Sequence, residues 1–303
     1  MSSLAAPLDP ARRLRTYASF VRFEHTLFSL PLILAGIFSA RGPALPWERW
    51  GLIAVAAVGA RTAAMALNRL IDRRLDALNP RTRTRELPAG TMRGAEAWAL
   101  LAGSTAAYLA ACWALGPWFL KVAPVPLAVF AVYPYLKRFT PLCHFGVGAA
   151  LALAPLAGYA AAHPDLANPA PALWLAAFAL AWVAGFDVIY ATLDEDFDRA
   201  HGVNSMVAWL GRGRALRVSW ALHLAAIAAL AAFVAALAEW RVPAGRAAWG
   251  VATAVAFGAT VTLLRLEQKW AEDVNLAFFK VNVWVGACVL AMTLAARMWT
   301  GGM

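Results

Sequence analysis

Apolar segments of about twenty residues recur along most of this 303-residue chain. That recurrence limits what the chain can fold into more than any other feature. A run of this length crosses the ~30 Å hydrocarbon core of a bilayer. It does so as a helix, because an open sheet in lipid leaves backbone N–H and C=O groups unpaired. Nine candidate spans read at about 20–41, 50–70, 96–115, 118–136, 143–162, 171–192, 215–238, 245–265 and 276–298. The composition agrees: 62% of residues are hydrophobic and 15% charged, against roughly 45–50% and about 25% in soluble domains. The expectation is an all-α integral membrane protein, one transmembrane domain over residues 1–303, with no soluble domain and no low-complexity segment.

The net charge of +10 raises the question of nucleic acid, but its distribution answers with a membrane. Arginine and lysine crowd the amino terminus and the loops after the even-numbered spans, whereas only Arg41, Arg49, Lys121, Arg241, Arg246 and Arg297 fall on the opposite side. Such a bias marks the cytoplasmic face, where basic loops also meet anionic lipid. A multi-pass protein of the inner, or cytoplasmic, membrane is expected, with membrane lipid around it, no nucleic-acid partner and no obligate protein partner. The first fifteen residues lack the apolar core and cleavage site of a signal peptide. Cys112, Cys143 and Cys288 form no CxxC or metal-ligand spacing and read as inert thiols in apolar surroundings.

Against this background the acids stand out. Asn68, Asp72 and Asp76 are spaced i, i+4, i+8 at the end of the second span. On a helix they drift only about 40° over two turns and point the same way. Asp187, Asp194 and Asp198 straddle the end of the sixth span at i, i+7, i+11, again one face, with Tyr190 beside it. Carboxylates next to hydrocarbon are a functional-site hypothesis by default. Both sets fall on the arginine-rich side. Brought together, two such faces make an oxygen cage for hard divalent cations such as Mg²⁺, which prefers carboxylate and phosphate oxygens. Ordinary helix-end charges are the plainer alternative.

Other polar residues gather around these acids in sequence. Tyr133 and Lys137 share a helical face at the end of the fourth span. Lys137 suits a phosphate oxygen, and equally a snorkelling topology marker. The basic loop from Arg81 through Arg85 to Gly90 follows the first acidic motif directly. It could cover the site as a lid, and Arg81 or Arg83 could be no more than positive-inside charges. Arg61 lies inside the second span on the Asn68 face, where a guanidinium needs a partner. A substrate carboxylate or an internal ion pair would serve. Glu24 and His25 raise the same question in span one, and His144, His201 and His223 read as structural.

Taken in order, NxxxDxxxD (Asn68, Asp72, Asp76), RxLPxG (Arg85 to Gly90), YxxxK (Tyr133, Lys137) and DxxYxxxDxxxD (Asp187, Tyr190, Asp194, Asp198) resemble the motifs of the UbiA superfamily of intramembrane prenyltransferases. The likeness covers essentially the whole chain. It implies a helical bundle with a central cavity open to lipid and a Mg²⁺–diphosphate site at the cytoplasmic end. By motif, Asp72, Asp76, Asp194 and Asp198 hold Mg²⁺ with Asn68 assisting. Lys137, Arg85 and Tyr133 serve the diphosphate, Asp187 and Tyr190 flank the reacting carbon, and Arg61 faces the acceptor. The implied substrates are a polyprenyl diphosphate and a hydroxylated aromatic acid in quinone biosynthesis. The segments Arg22 to Pro31, Lys137 to His144 and Gly185 to Tyr190 together resemble a branch whose implied acceptor is of the 4-hydroxybenzoate type, with 1,4-dihydroxy-6-naphthoate as the alternative. A cation-coupled transporter is the competing class, since transporters also bury carboxylates. The acids here cluster at one membrane side rather than the midplane, which argues against it.

Overall fold

The computed structural model describes residues 10–22, 26–40, 45–239, 245–271 and 281–301, and these are all-helical apart from turns and loops. In chain order the helices are α1 (Pro10–Phe20), α2 (Thr26–Ser39), α3 (Trp47–Leu78), α4 (Gly94–Leu115), α5 (Pro117–Val122) and α6 (Pro124–Leu136). They continue with α7 (Cys143–Ala162), α8 (Ala170–Ala191), α9 (Glu195–His201), α10 (Met206–Leu210), α11 (Arg212–Leu237), α12 (Ala247–Lys269) and α13 (Asn282–Trp299). Eight helical segments among the described residues are long and apolar enough to cross a membrane, and the segment Ser29–Ser39 of α2 is apolar but shorter. The expected count of about nine is therefore close, with α2 in the place of the first span.

Three boundaries differ from the sequence reading, each for a local reason. The second span runs on to Leu78, so α3 is 32 residues long, about 48 Å at 1.5 Å per residue. Its acids thus sit on the helix proper. The fourth span is split at Ala123, because Pro124 lacks the N–H that would continue the ladder. There Tyr108 Oη donates to the Ala123 carbonyl at 3.2 Å. The sixth span continues past α8 through a 3₁₀ turn at Thr192–Asp194 into α9.

The helices form a bundle around α8. It packs on α7 and α11, α7 packs on α2 and α6, α12 and α13 pair, α13 returns to α2, and α3 packs on α4 and α6. In the apolar stretch of the α8 span, 72% of the residues are buried, against 17% for α3 and α12. Hence α8 is the axis, while α3 and α12 face lipid broadly. Its core includes Trp182, whose ring stacks on Phe178 and whose Nε1 donates to Asn282 Oδ1 at 3.0 Å. A buried indole N–H needs such a partner.

Close approach of α2 and α7 depends on glycine. A Cβ on Gly158 would stand 2.1 Å from the Ile33 carbonyl oxygen, and one on Gly36 would stand 2.1 Å from that of Pro155. Small residues let backbones meet this closely in membrane bundles. Gly158→Val is therefore expected to lower stability by about 1–3 kcal/mol or more. Gly51→Ala, with nothing within 4 Å of the new Cβ, is expected to be neutral or mildly stabilising. Thermal unfolding in detergent, read by the fraction still monodisperse after heating, checks both.

Candidate active site

Five chain segments converge at one end of the bundle around a cavity of about 230 Å³. The last turns of α3 bring Asn68, Asp72 and Asp76. The turn after it brings Asn79, Arg81, Thr82 and Arg85. The α6–α7 junction supplies Tyr133, Lys137, Cys143 and His144. The end of α8 supplies Asp187 and Tyr190, and the 3₁₀ turn with α9 supplies Asp194 and Asp198. Thus every residue singled out from the two acidic motifs, with Lys137, Arg85 and Tyr133, lines one cavity.

The acids are held by bases. Lys137 Nζ donates to Asp72 Oδ2 at 2.6 Å, and Asn68 Nδ2 donates to the same oxygen at 3.2 Å. Arg85 Nη1 donates to Asp76 Oδ1 at 2.7 Å. Arg81 grips Asp194 with both edges of its fork: Nε donates to Oδ1 at 2.8 Å, and Nη2 donates to Oδ2. Its Nη1 donates to Tyr190 Oη at 2.7 Å, and Asn79 Nδ2 adds a 2.8 Å bond to Asp194 Oδ1. Burial works against the Arg81 charge, but the Asp194 hydrogen bonds, with Tyr190 and Asp76 nearby, outweigh it and hold its pKa above the ordinary arginine value. Bidentate pairing of this kind is strong and directional.

Asp72 Oδ1 and Asp76 Oδ2 are buried and accept no hydrogen bond among the described residues. Anionic oxygens in that state are costly, and they are the donor type a hard cation takes. Among the described residues, however, no three carboxylate, imidazole or thiolate groups come close enough to hold an ion by themselves. In this structure Lys137, Arg85 and Arg81 are the partners of Asp72, Asp76 and Asp194. The expected continuous face through Asp187, Asp194 and Asp198 is revised. The 3₁₀ turn at Thr192–Asp194 breaks the helix and re-aims Asp194 toward Arg81.

The basic loop is packed in place. Leu87 and Met92 are buried with Phe20, Ala66 and Ala97. Ser19 Oγ donates to Glu86 at 2.6 Å, and Tyr17 Oη donates to Glu96 at 3.1 Å. Helix α1 therefore braces the segment that carries Arg81 and Arg85. Arg61 does not line the cavity. Its Nη2 donates to the Arg22 carbonyl at 3.3 Å. Glu24 and His25 lie outside the described residues.

The sequence offers Arg81 either within a lid over the site or as a loop charge, offers His144 as structural, and gives Asn79 no role. The structure makes all three partners of the cavity acids. For Asn79 and Arg81 the available signal is their position three and five residues past Asp76. His144 carries no signal of its own, since only the fold sets it beside Asp187.

Residues 29–299 match the model of the UbiA prenyltransferase family. The chain belongs to that family. It is an enzyme of the prenyltransferase class, and the transporter reading is set aside. It is similar to 4-hydroxybenzoate octaprenyltransferase of Cupriavidus necator, 31% identical over 94% of this chain and 98% of that protein. It is also similar to that of Ralstonia nicotianae, 32% identical over 91% and 93%. Among solved structures, an apo UbiA homolog from Aeropyrum pernix K1 superposes with a TM-score of 0.77 at 34% identity, covering 91% of this chain and 98% of that one. A UbiA homolog from Archaeoglobus fulgidus bound to GPP and Mg²⁺ shares the fold, with a TM-score of 0.70 at 18% identity over 94% and 99%.

The acid–base clamps give a stability prediction for this UbiA-family member. Asp72 is 3% exposed at its side chain and Lys137 29%, so removing the lysine strands a buried charge. Lys137→Met should destabilise the protein by about 2 kcal/mol, toward the low end for a buried pair because the lysine is partly wetted. Adding Asp72→Asn to Lys137→Met should recover most of the loss. Thermal unfolding of the two variants beside the wild type checks this.

Proposed function

We propose that this protein transfers a polyprenyl group from polyprenyl diphosphate to a hydroxylated aromatic acid of the 4-hydroxybenzoate type in quinone biosynthesis. In this reading it works in the inner membrane with its site toward the cytoplasm. One observation carries the proposal: Asp72, Asp76 and Asp194 are each clamped by a lysine or arginine around a single cavity, while Asp72 and Asp76 retain a buried oxygen with no hydrogen bond among the described residues. A diphosphate entering the cavity takes Lys137 and Arg85 as its own partners and releases the carboxylates. The released oxygens then suit divalent cations. The names of the relatives, matched over nearly their full length, support the aromatic acid.

The residues divide the work accordingly. Mg²⁺ would be held by Asp72, Asp76, Asp194 and Asp198 with Asn68 assisting, and those buried oxygens fit a hard cation. When bound, Mg²⁺ neutralises charge building on the leaving diphosphate. Lys137 and Arg85 add donors to the same oxygens, with Tyr133 on the wall beside them. Asp187 and Tyr190 stand where the allylic carbon and the ring meet. Arg61, seven residues and roughly 10 Å deeper on α3 than Asn68, would face the acceptor carboxylate. The packed loop from Arg81 to Gly90 keeps water from the closed end, and the isoprenoid tail runs along apolar helix walls. Much of the tail's burial gain of about 0.8 kcal/mol per CH₂ is absent when it arrives from lipid, so the polar head sets specificity.

The deciding experiment supplies purified protein with a polyprenyl diphosphate and Mg²⁺ and offers 4-hydroxybenzoate and 1,4-dihydroxy-6-naphthoate in parallel, with products followed by mass. Prenylated 4-hydroxybenzoate, lost on chelation, is the expected result. Product from the naphthoate alone moves the acceptor, and product from neither with folded protein overturns the aromatic-acid reading. Asp72→Ala and Asp194→Ala should each cut turnover by about a hundredfold or more while the fold survives. Arg61→Ala should raise KM for the acid more than KM for the diphosphate, and equal effects would make it structural.

A further inference from the structure

Asp187 is held unlike the other cavity acids. Asp72, Asp76 and Asp194 each meet a lysine or arginine. The partner of Asp187 is an imidazole: His144 Nδ1 lies 2.6 Å from Asp187 Oδ2. The other ring nitrogen settles the proton. Met206 follows the cap residue Ser205 and opens α10, so its backbone N–H has no intrahelical acceptor. That N–H donates to His144 Nε2 at 3.2 Å. A backbone amide can only donate, so Nε2 presents its lone pair and Nδ1 carries the hydrogen that Asp187 accepts. A doubly protonated ring would set two N–H groups against each other and leave a buried amide unbonded. The imidazole is 3% exposed, whereas the Asp187 side chain is 26% exposed and faces the cavity. Its Oδ1 has no hydrogen-bond partner among the described residues.

We infer that His144 is a positioning residue, locked in its neutral Nδ1–H form by the Met206 amide, that aims Asp187 Oδ1 into the cavity as the acceptor of the ring proton. This rests on the function proposed above. The other candidates are less suited. Tyr190 Oη accepts from Arg81, and Asp72, Asp76, Asp194 and Asp198 are the acids assigned above to Mg²⁺. The step balances as follows. The ring carbon next to the acceptor hydroxyl bonds to the allylic carbon as the allylic C–O bond breaks, and its electron pair leaves with the diphosphate. The hydrogen on that ring carbon passes to Asp187 Oδ1 as a proton, and the C–H electron pair restores the aromatic ring. Asp187 then returns the proton to water. A neutral imidazole orients the carboxylate and donates one hydrogen bond without adding the positive charge that would blunt its basicity.

The test compares His144→Leu, which removes the donor, with His144→Asn, whose amide N–H takes the place of Nδ1–H, and with Asp187→Asn. Steady-state constants are measured for both substrates. Asp187→Asn should lose about a hundredfold or more in kcat. His144→Leu should lose about tenfold or more in kcat with KM for the diphosphate within about twofold, and His144→Asn should recover most of that loss. Wild-type kcat in His144→Leu overturns the proposal. So does a loss that His144→Asn fails to relieve while both KM values rise together, as a packing defect would give. Nitrogen NMR of labelled histidine in the wild type tests the lock without turnover: protonated Nδ1 with bare Nε2 is expected, and an imidazolium or an Nε2–H ring overturns it. Absence of product from the wild type with either acid would fail the functional reading itself. A productive wild type with an unaffected His144→Leu fails only the role of His144.

Discussion

The pairing of buried carboxylates with bases at one end of an apolar bundle is the interaction on which the site's architecture depends. Asp72 and Asp76 are nearly inaccessible, and ionised carboxylates in such a place need compensation. Lys137 and Arg85 supply it from two other segments, and Arg81 does the same for Asp194. These contacts tie α3 to the α6–α7 junction, and the loop after α3 to the end of α8. In the function proposed above a diphosphate would take over the contacts of Lys137 and Arg85, so that stability and binding would draw on one set of charges.

The surrounding architecture serves that end. Helix α8 is the buried axis and delivers Asp187 and Tyr190. The 3₁₀ turn after it re-aims Asp194, so that two acids from one sequence motif face different partners. Helix α1 packs Phe20 under the loop that holds Arg81 and Arg85, giving a long basic loop a defined shape. Glycines at Gly36 and Gly158 let α2 and α7 meet backbone to backbone, which keeps that side of the bundle narrow.

Much of this is legible in the residues. Span length and apolar composition select helices because lipid offers the backbone no hydrogen bonds. The i, i+4, i+8 spacing places Asn68, Asp72 and Asp76 on one face because α3 is a regular helix through all of them. Less legible is how the acids are neutralised. Arg81 looks like any loop arginine, and its fork onto Asp194 spans 113 residues of sequence. Helical periodicity also carries no notice of a 3₁₀ turn, so the single face drawn through Asp187, Asp194 and Asp198 had to be broken.

The sequence by itself determined the solvent, the helical class and the identity of the acids that had to converge, because each follows from local spacing and from the expense of charge beside hydrocarbon. Only the tertiary structure decided which base holds which acid, and that Asp187 meets a histidine where Asp72, Asp76 and Asp194 meet a lysine or arginine. Those pairings join segments far apart in the chain, and a hydrogen bond's direction depends on atoms brought together by packing. The Met206 amide that sets the His144 proton is backbone, and no side-chain pattern could announce it.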